Sequence, residues 1–109
     1  DIGNWNTSKV NNMSEMFNDA DAFNQNIGDW NTSQVNDMSY MFFYATVFNQ
    51  DIGNWKTINV TNMSYMFAGA SIFNQDISNW AVCKVNNKLG QFTNSPLASD
   101  EDKQPQCSP

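Results

Sequence analysis

Ile27-Gly28-Asp29-Trp30-Asn31-Thr32-Ser33-Gln34-Val35-Asn36-Asp37-Met38-Ser39-Tyr40-Met41-Phe42, closed by Ala45, Phe48, Asn49 and Gln50, is one copy of a 25-residue unit, and the chain is little more than that unit restarted. Written in rows of 25, the columns align without gaps. Ile2, Ile27, Ile52 and Ile77 share one column, and Trp5, Trp30, Trp55 and Trp80, all the tryptophans, share another. Val10, Val35, Val60 and Val85 follow, then Met13, Met38 and Met63, then Met16, Met41 and Met66. Phe17, Phe42, Phe67 and Phe92 are in phase, as are Ala20, Ala45, Ala70 and Phe23, Phe48, Phe73. The units beginning at Ile27 and Ile52 share about fifteen positions, the bulky ones among them. A fixed period of this size is the signature of a solenoid. Each unit is too small to bury its own apolar face, so it stacks on its neighbours.

Within a unit, Ile2 and Trp5 are expected on a short strand or extended segment. The column Gly3, Gly28, Gly53 and Ser78 keeps a small residue where the chain bends tightly or where backbones approach. Met13, Met16, Phe17 and Ala20 recur at helical spacing. Ser14 is a candidate N-cap for a short helix through Ala20, and Ser39 and Ser64 repeat it. A longer helix capped by Thr7 or Ser8 is disfavoured, because Val10, Asn11 and Asn12 are mediocre helix formers. The columns Asn24, Asn49, Asn74 and Asn12, Asp37, Asn62, Asn87 are placed to bond backbone groups of adjacent coils. The fourth unit decays: Lys88, Leu89 and Gln91 replace Met, Ser and Met, and Phe92 is the last residue in phase. Residues 1–92 therefore read as a repeat body with coils starting near Ile2, Ile27, Ile52 and Ile77. Residues 93–109 read as a polar, Pro-containing capping tail.

The net charge of −6 argues against nucleic acid or an anionic membrane as partner. No apolar run is long enough for a membrane span. The absence of His removes the commonest general base and metal ligand together, so no catalytic set, metal or cofactor is expected. Cys83 and Cys107 are too few for a four-ligand zinc site. They are either two unrelated thiols or, the more natural reading, a disulfide pinning the tail across the open end of the stack. Such a loop stabilises by roughly 3 kcal/mol and implies an oxidising compartment. The chain opens on Asp1-Ile2 in mid-repeat, without a signal peptide, which suggests a mature or cropped segment of something longer.

The unit Val-x-x-Met-Ser-x-Met-Phe-x-x-Ala-x-x-Phe-Asn-Gln-x-Ile-x-x-Trp resembles the BspA-like leucine-rich-repeat surface proteins, and more narrowly the repeat named after mycoplasma lipoproteins. Met41-Phe42, Ala45, Phe48-Asn49-Gln50, Ile52 and Trp55 carry the resemblance, which spans residues 1–92. It implies an α/β repeat: a leucine-rich-repeat-like solenoid of about four coils, with short strands on one side and short helices on the other. It also implies a secreted or surface-displayed protein, often an adhesin or interaction module, and carries over no catalytic residue. This chain is shorter than the usual pattern.

Functional positions in a repeat protein vary between coils. Glu15-Asn18-Asp19 becomes Tyr40-Phe43-Tyr44 in the second unit and Tyr65-Ala68-Gly69 in the third. Tyr40, Phe43, Tyr44 and Tyr65 are the candidate ligand-binding residues, on one outward face if the segment is helical. The alternative is that Phe43 and Tyr44 tuck against a neighbouring coil. A second column, Asp1, Asn26, Asp51 and Asp76, could hold Ca²⁺ or, more simply, bond nearby backbone. The expected function is a non-enzymatic extracellular or cell-surface binding or adhesion module for protein or glycan. The alternative is a structural component of a larger assembly, packing on further repeats or another chain through its uncapped first coil. A third, an ice- or mineral-binding array, would rest on the column Thr7, Thr32 and Thr57.

Overall fold

The structure is a computed structural model and describes residues 2–107. The methionine- and phenylalanine-bearing half of each unit is a run of consecutive turns. In the first unit the N–H groups of Met16, Asn18, Ala20 and Phe23 donate to the carbonyls of Met13, Glu15, Phe17 and Ala20, three residues back, at 3.1–3.3 Å. The N–H groups of Met13, Glu15, Phe17 and Asp19 donate instead to the carbonyls of Asp37, Ser39, Met41 and Phe43 in the next unit, at 2.7–2.9 Å. An α-helix would return nearly every N–H to its own carbonyl four residues back. Here alternate N–H groups are left to lock one unit onto the next.

The turns require a left-handed backbone at two columns. Glu15, Tyr40, Tyr65 and Gly90 have φ of 55–65°, and Asp19, Tyr44, Gly69 and Asn94 have φ of 55–75°. A positive φ at the third turn residue is the mark of a type II turn and is incompatible with a right-handed helix. Each run is opened by an Asx turn: the Oδ1 atoms of Asn12, Asp37 and Asn62 accept the N–H groups of Ser14, Ser39 and Ser64 at 2.8–3.0 Å. The serines expected to cap helices have no helix to cap.

The expected α/β, leucine-rich-repeat-like solenoid of short strands and short helices is therefore overturned. Among the described residues there is no α-helix and no sheet. There are two short 3-10 turns, Pro96–Ser99 and Glu101–Lys103, and the isolated parallel bridges Asn12 to Asp37, Asp37 to Asn62 and Asn62 to Asn87. The body is compact, with a radius of gyration of 12.5 Å. The error has a physical source: apolar residues three apart suit successive turns as well as a helix, and periodicity does not report the sign of φ.

The core is a set of columns running along the molecule. Trp5, Trp30, Trp55 and Trp80 stack face to face at 6.1–6.4 Å, and Phe17, Phe42, Phe67 and Phe92 at 5.5–6.0 Å. Each inner tryptophan donates its indole N–H to the isoleucine carbonyl of the preceding unit: Trp30 to Ile2, Trp55 to Ile27 and Trp80 to Ile52, all at 3.0 Å. The one polar atom of the largest core side chain is thus satisfied. Thr7, Thr32 and Thr57 are buried and donate to the carbonyls of Asn31, Lys56 and Ala81 at 2.8–3.1 Å. That removes the threonine column as a surface array. A Cβ on Gly28 would lie 2.6 Å from the Asp51 carbonyl oxygen, and one on Gly53 2.8 Å from that of Asp76, so this column is small because backbones meet there. Of the asparagine columns, Asn24 and Asn49 bond the next unit, accepting the N–H groups of Asn49 and Asn74 at 2.9 and 3.0 Å. The other column acts within its own unit, through the Asx turns.

The tail lies against the fourth unit. Leu97 is fully buried, and the Ile77 N–H donates to the Lys103 carbonyl at 3.1 Å. Gln50 and Gln75 each donate their amide to the carbonyl and Oδ1 of an asparagine one unit back, Asn24 and Asn49, at 3.0–3.1 Å. Lys103 Nζ does the same to Asn74, at 3.3 and 3.0 Å, standing in for the glutamine of a unit that is not there. Cys83 and Cys107 form a disulfide that fixes the end of the tail.

Candidate functional site

The four aromatic residues that break the repeat meet on one flank. Tyr40 stacks on Tyr65 at 5.1 Å and receives Phe43 edge-on at 5.1 Å, while Phe43 meets Tyr44 edge-on at 4.7 Å. Tyr40, Phe43 and Tyr65 are half-buried, and Tyr44 is 44% exposed. Helical spacing does not bring them together. Tyr40 and Tyr44 hold the two left-handed columns of one unit, Tyr65 repeats the first of them one unit on, and Phe43 lies between.

The positive-φ columns elsewhere carry residues suited to that backbone. They are Gly69 and Gly90, Asn94 and Asp19. Glu15 and three tyrosines are the exceptions. A left-handed backbone costs an ordinary L-residue roughly 1–2 kcal/mol, so these side chains stand where the backbone disfavours them. Part of that cost is offset by packing across units. The Tyr44 ring lies where a Cβ on Gly69 would sit, at 2.6 Å, and the Tyr65 ring does the same over Gly90. The two glycines are thus required both for their φ and for the ring above them. They were the legible trace of this arrangement: a glycine follows, one unit later, in the column of each of those two tyrosines.

Of the acidic column, Asp1 lies outside the described residues. Asn26 and Asp51 accept the N–H groups of Gly28 and Gly53 at 2.9 Å, and Asp76 accepts both the N–H and the hydroxyl of Ser78, at 2.9 and 2.6 Å. These bonds from Ser78, helped by the charge of Lys103, hold the Asp76 carboxyl below its ordinary range. Among the described residues no group of three or more His, Cys, Asp or Glu side chains could hold a metal ion.

The ends of the stack are the remaining features, and sequence reading anticipated only one of them. At the first unit Trp5 is 55% exposed and Met16 39%. Among the described residues no donor meets the carbonyls of Asn12, Ser14, Met16 and Asn18, the positions that accept bonds in every later unit. At the other end a cleft of about 480 Å³ opens between the fourth unit and the tail, floored by Met63, Val82 and Val85 and edged by Lys88, Gln91 and Glu101. Lys88 and Gln91 stand in the columns that carry Met13, Met38, Met63 and Met16, Met41, Met66 in the earlier units.

Residues 1–103 match the family described as "Mycoplasma protein of unknown function, DUF285". No curated protein and no solved structure matches the chain.

Proposed function

Starting from the fact that the chain belongs to this Mycoplasma-associated family, we propose that it is a non-enzymatic binding module of a secreted or surface-displayed protein, taking its protein or glycan ligand on the flank of Tyr40, Phe43, Tyr44 and Tyr65. The observation that carries this reading is the presence of three tyrosines at left-handed positions where, Glu15 aside, glycine, asparagine and aspartate serve elsewhere. Strain retained at partly exposed side chains marks a surface kept for use. Tyrosine supplies wide, rigid contact area with a polar edge, suited to protein hot spots and to the faces of sugar rings. The resemblance to BspA-like surface proteins supports the same reading. So does the Cys83–Cys107 disulfide, which fits an oxidising, extracellular location. No helix among the described residues is long and apolar enough to cross a membrane.

The test is a panel of polysaccharides and extracellular proteins, probed with the oxidised chain and with a Tyr40→Ser, Tyr44→Ser variant. The expected result is a bound member whose binding is lost in the variant while tryptophan fluorescence stays native. Binding that survives the double substitution overturns the reading.

One observation favours a second reading, a structural component of a larger extracellular assembly. The first unit presents an apolar edge and a row of unmet carbonyls. A unit of the same kind, from further repeats or another chain, would satisfy both. Native mass of the protein from its source, with and without reductant, tests this. A species of the bare chain's own mass, with nothing co-purifying, would count against it.

A further inference from the structure

We propose that the cleft between the fourth unit and the tail is a binding site for a small zwitterion with an apolar side chain, a free amino acid or a dipeptide. Its volume of about 480 Å³ falls in the range of small-molecule sites. The floor is apolar: Met63 is fully buried, and Val82 and Val85, which also line it, are half-buried. The polar groups around that floor are few and short of partners. Gln91 is only 9% exposed. Its amide nitrogen donates to the Met63 sulfur at 3.4 Å, a weak acceptor, and its Oε1 meets no donor among the described residues. A buried amide satisfied so poorly is destabilising unless something else completes its bonds. Packing does not call for it, because the same column holds Met41 and Met66, both fully buried.

The charges define the ligand. Lys88 and Glu101 both line the cleft. The one ion pair among the described residues joins Lys103 to Asp100, so neither Lys88 nor Glu101 is paired. The backbone N–H of Lys88 is also unmet. In the earlier units the N–H of this column, on Met13, Met38 and Met63, donates to a carbonyl of the next unit at 2.8–2.9 Å, and at Lys88 the tail supplies no such acceptor among the described residues. A carboxylate taken by the ammonium and N–H of Lys88, and an ammonium taken by the carboxylate of Glu101, make charge-assisted contacts at both ends of one ligand. The Gln91 amide, which both donates and accepts, serves either end, and the ligand's side chain covers Met63, Val82 and Val85. A ligand of a single charge would leave one of the two edge charges unmatched.

The tyrosine flank takes no part in this site, so the proposal stands or falls apart from the function proposed above. The experiment is titration of the oxidised chain with L-leucine and with L-leucyl-L-leucine, followed by calorimetry and by amide NMR shifts. Isocaproate, which lacks the ammonium, and isopentylamine, which lacks the carboxylate, are the controls. Saturable binding of leucine or of the dipeptide is expected, with shifts at Lys88, Gln91 and Glu101; which of the two binds tighter sets the size of the ligand. Each control is expected to bind at least about tenfold more weakly, the loss of one charged hydrogen bond. Gln91→Met, which restores the residue of the earlier units, is expected to weaken binding by about tenfold without lowering the melting point. Glu101→Gln, at an exposed position, is expected to weaken leucine and leave isocaproate unchanged. The absence of saturable binding by either zwitterion overturns the proposal, since water alone then fills the cleft. So do shifts confined to other residues, controls that bind as tightly as leucine, and variants that bind leucine as the parent chain does.

Discussion

The first and fourth units each lack a neighbour on one side, and they meet that lack in opposite ways. Trp5 is left 55% exposed, whereas Trp80, in the same column, is 2% exposed. The residues are identical, but the Trp80 indole leans on the unit before it, donating to the Ile52 carbonyl and packing on Trp55 and Phe67, whereas Trp5 meets only Trp30 of the unit after it. On its outer side the fourth unit is met by the tail. Leu97, Lys103 and the disulfide supply at one end what a further unit supplies inside. In a repeat protein, burial belongs to the junction, and a column residue is only as buried as what covers its outer side.

The largest expected effect sharpens that contrast directly. Trp55→Ala, between two stacked neighbours, is expected to cost about 3–5 kcal/mol by denaturant unfolding, as for large aromatic core truncations. Trp5→Ala is expected to cost about 1 kcal/mol, the middle of ordinary substitutions. Equal losses would mean that the first unit holds its tryptophan as firmly as the interior does.

Next in size is Cys83→Ser. Freeing the tail is expected to cost about 3 kcal/mol, read from the melting curve. An unchanged melting point would show that Leu97 and Lys103 hold the cap without the disulfide.

Gly69→Ala adds a Cβ at φ 75° and into the Tyr44 ring. The expected loss is about 2 kcal/mol, read from the melting curve. At the open end the same logic runs in reverse. Glu15 has φ 61° and is exposed, so Glu15→Gly is expected to gain about 0.5–1 kcal/mol. A loss there would mean that the Glu15 side chain contributes more than its backbone costs.

The smallest effect concerns pH. The Asp76 pKa is lowered in the folded protein by its bonds from Ser78. Its contribution is thus present above the ordinary carboxylate range and lost as pH falls through the lowered value. Asp76→Asn, which copies the Asn26 of the first junction, is expected to leave the neutral-pH melting point nearly unchanged and to flatten the acid side of the stability profile. An NMR titration of the Asp76 carboxyl with a midpoint at or above the ordinary value would contradict this.

Several features were legible before any coordinates. Strict phase identified Trp30, Met38, Phe42, Phe48 and their counterparts as core, because only shared burial forces bulky residues to recur without slippage. The pairing of Cys83 with Cys107 was legible as one of two alternatives. The aromatic set was found by its departure from the repeat, although the face was drawn on a helix that does not exist. The glutamine-like role of Lys103 could not be read, because it sits three residues past the repeat position occupied by Asp100.

What the sequence by itself determined was the unit, its columns and its failing fourth copy, since hydrophobic phase is a one-dimensional property. What only the tertiary structure decided was how the backbone runs between those columns. Met13 to Ala20 could close bonds within itself as a helix, or alternate between its own turns and the next unit. The second solution satisfies alternate N–H groups on a neighbour, and its stability therefore lies in a junction between residues 24 positions apart, beyond the reach of any local pattern.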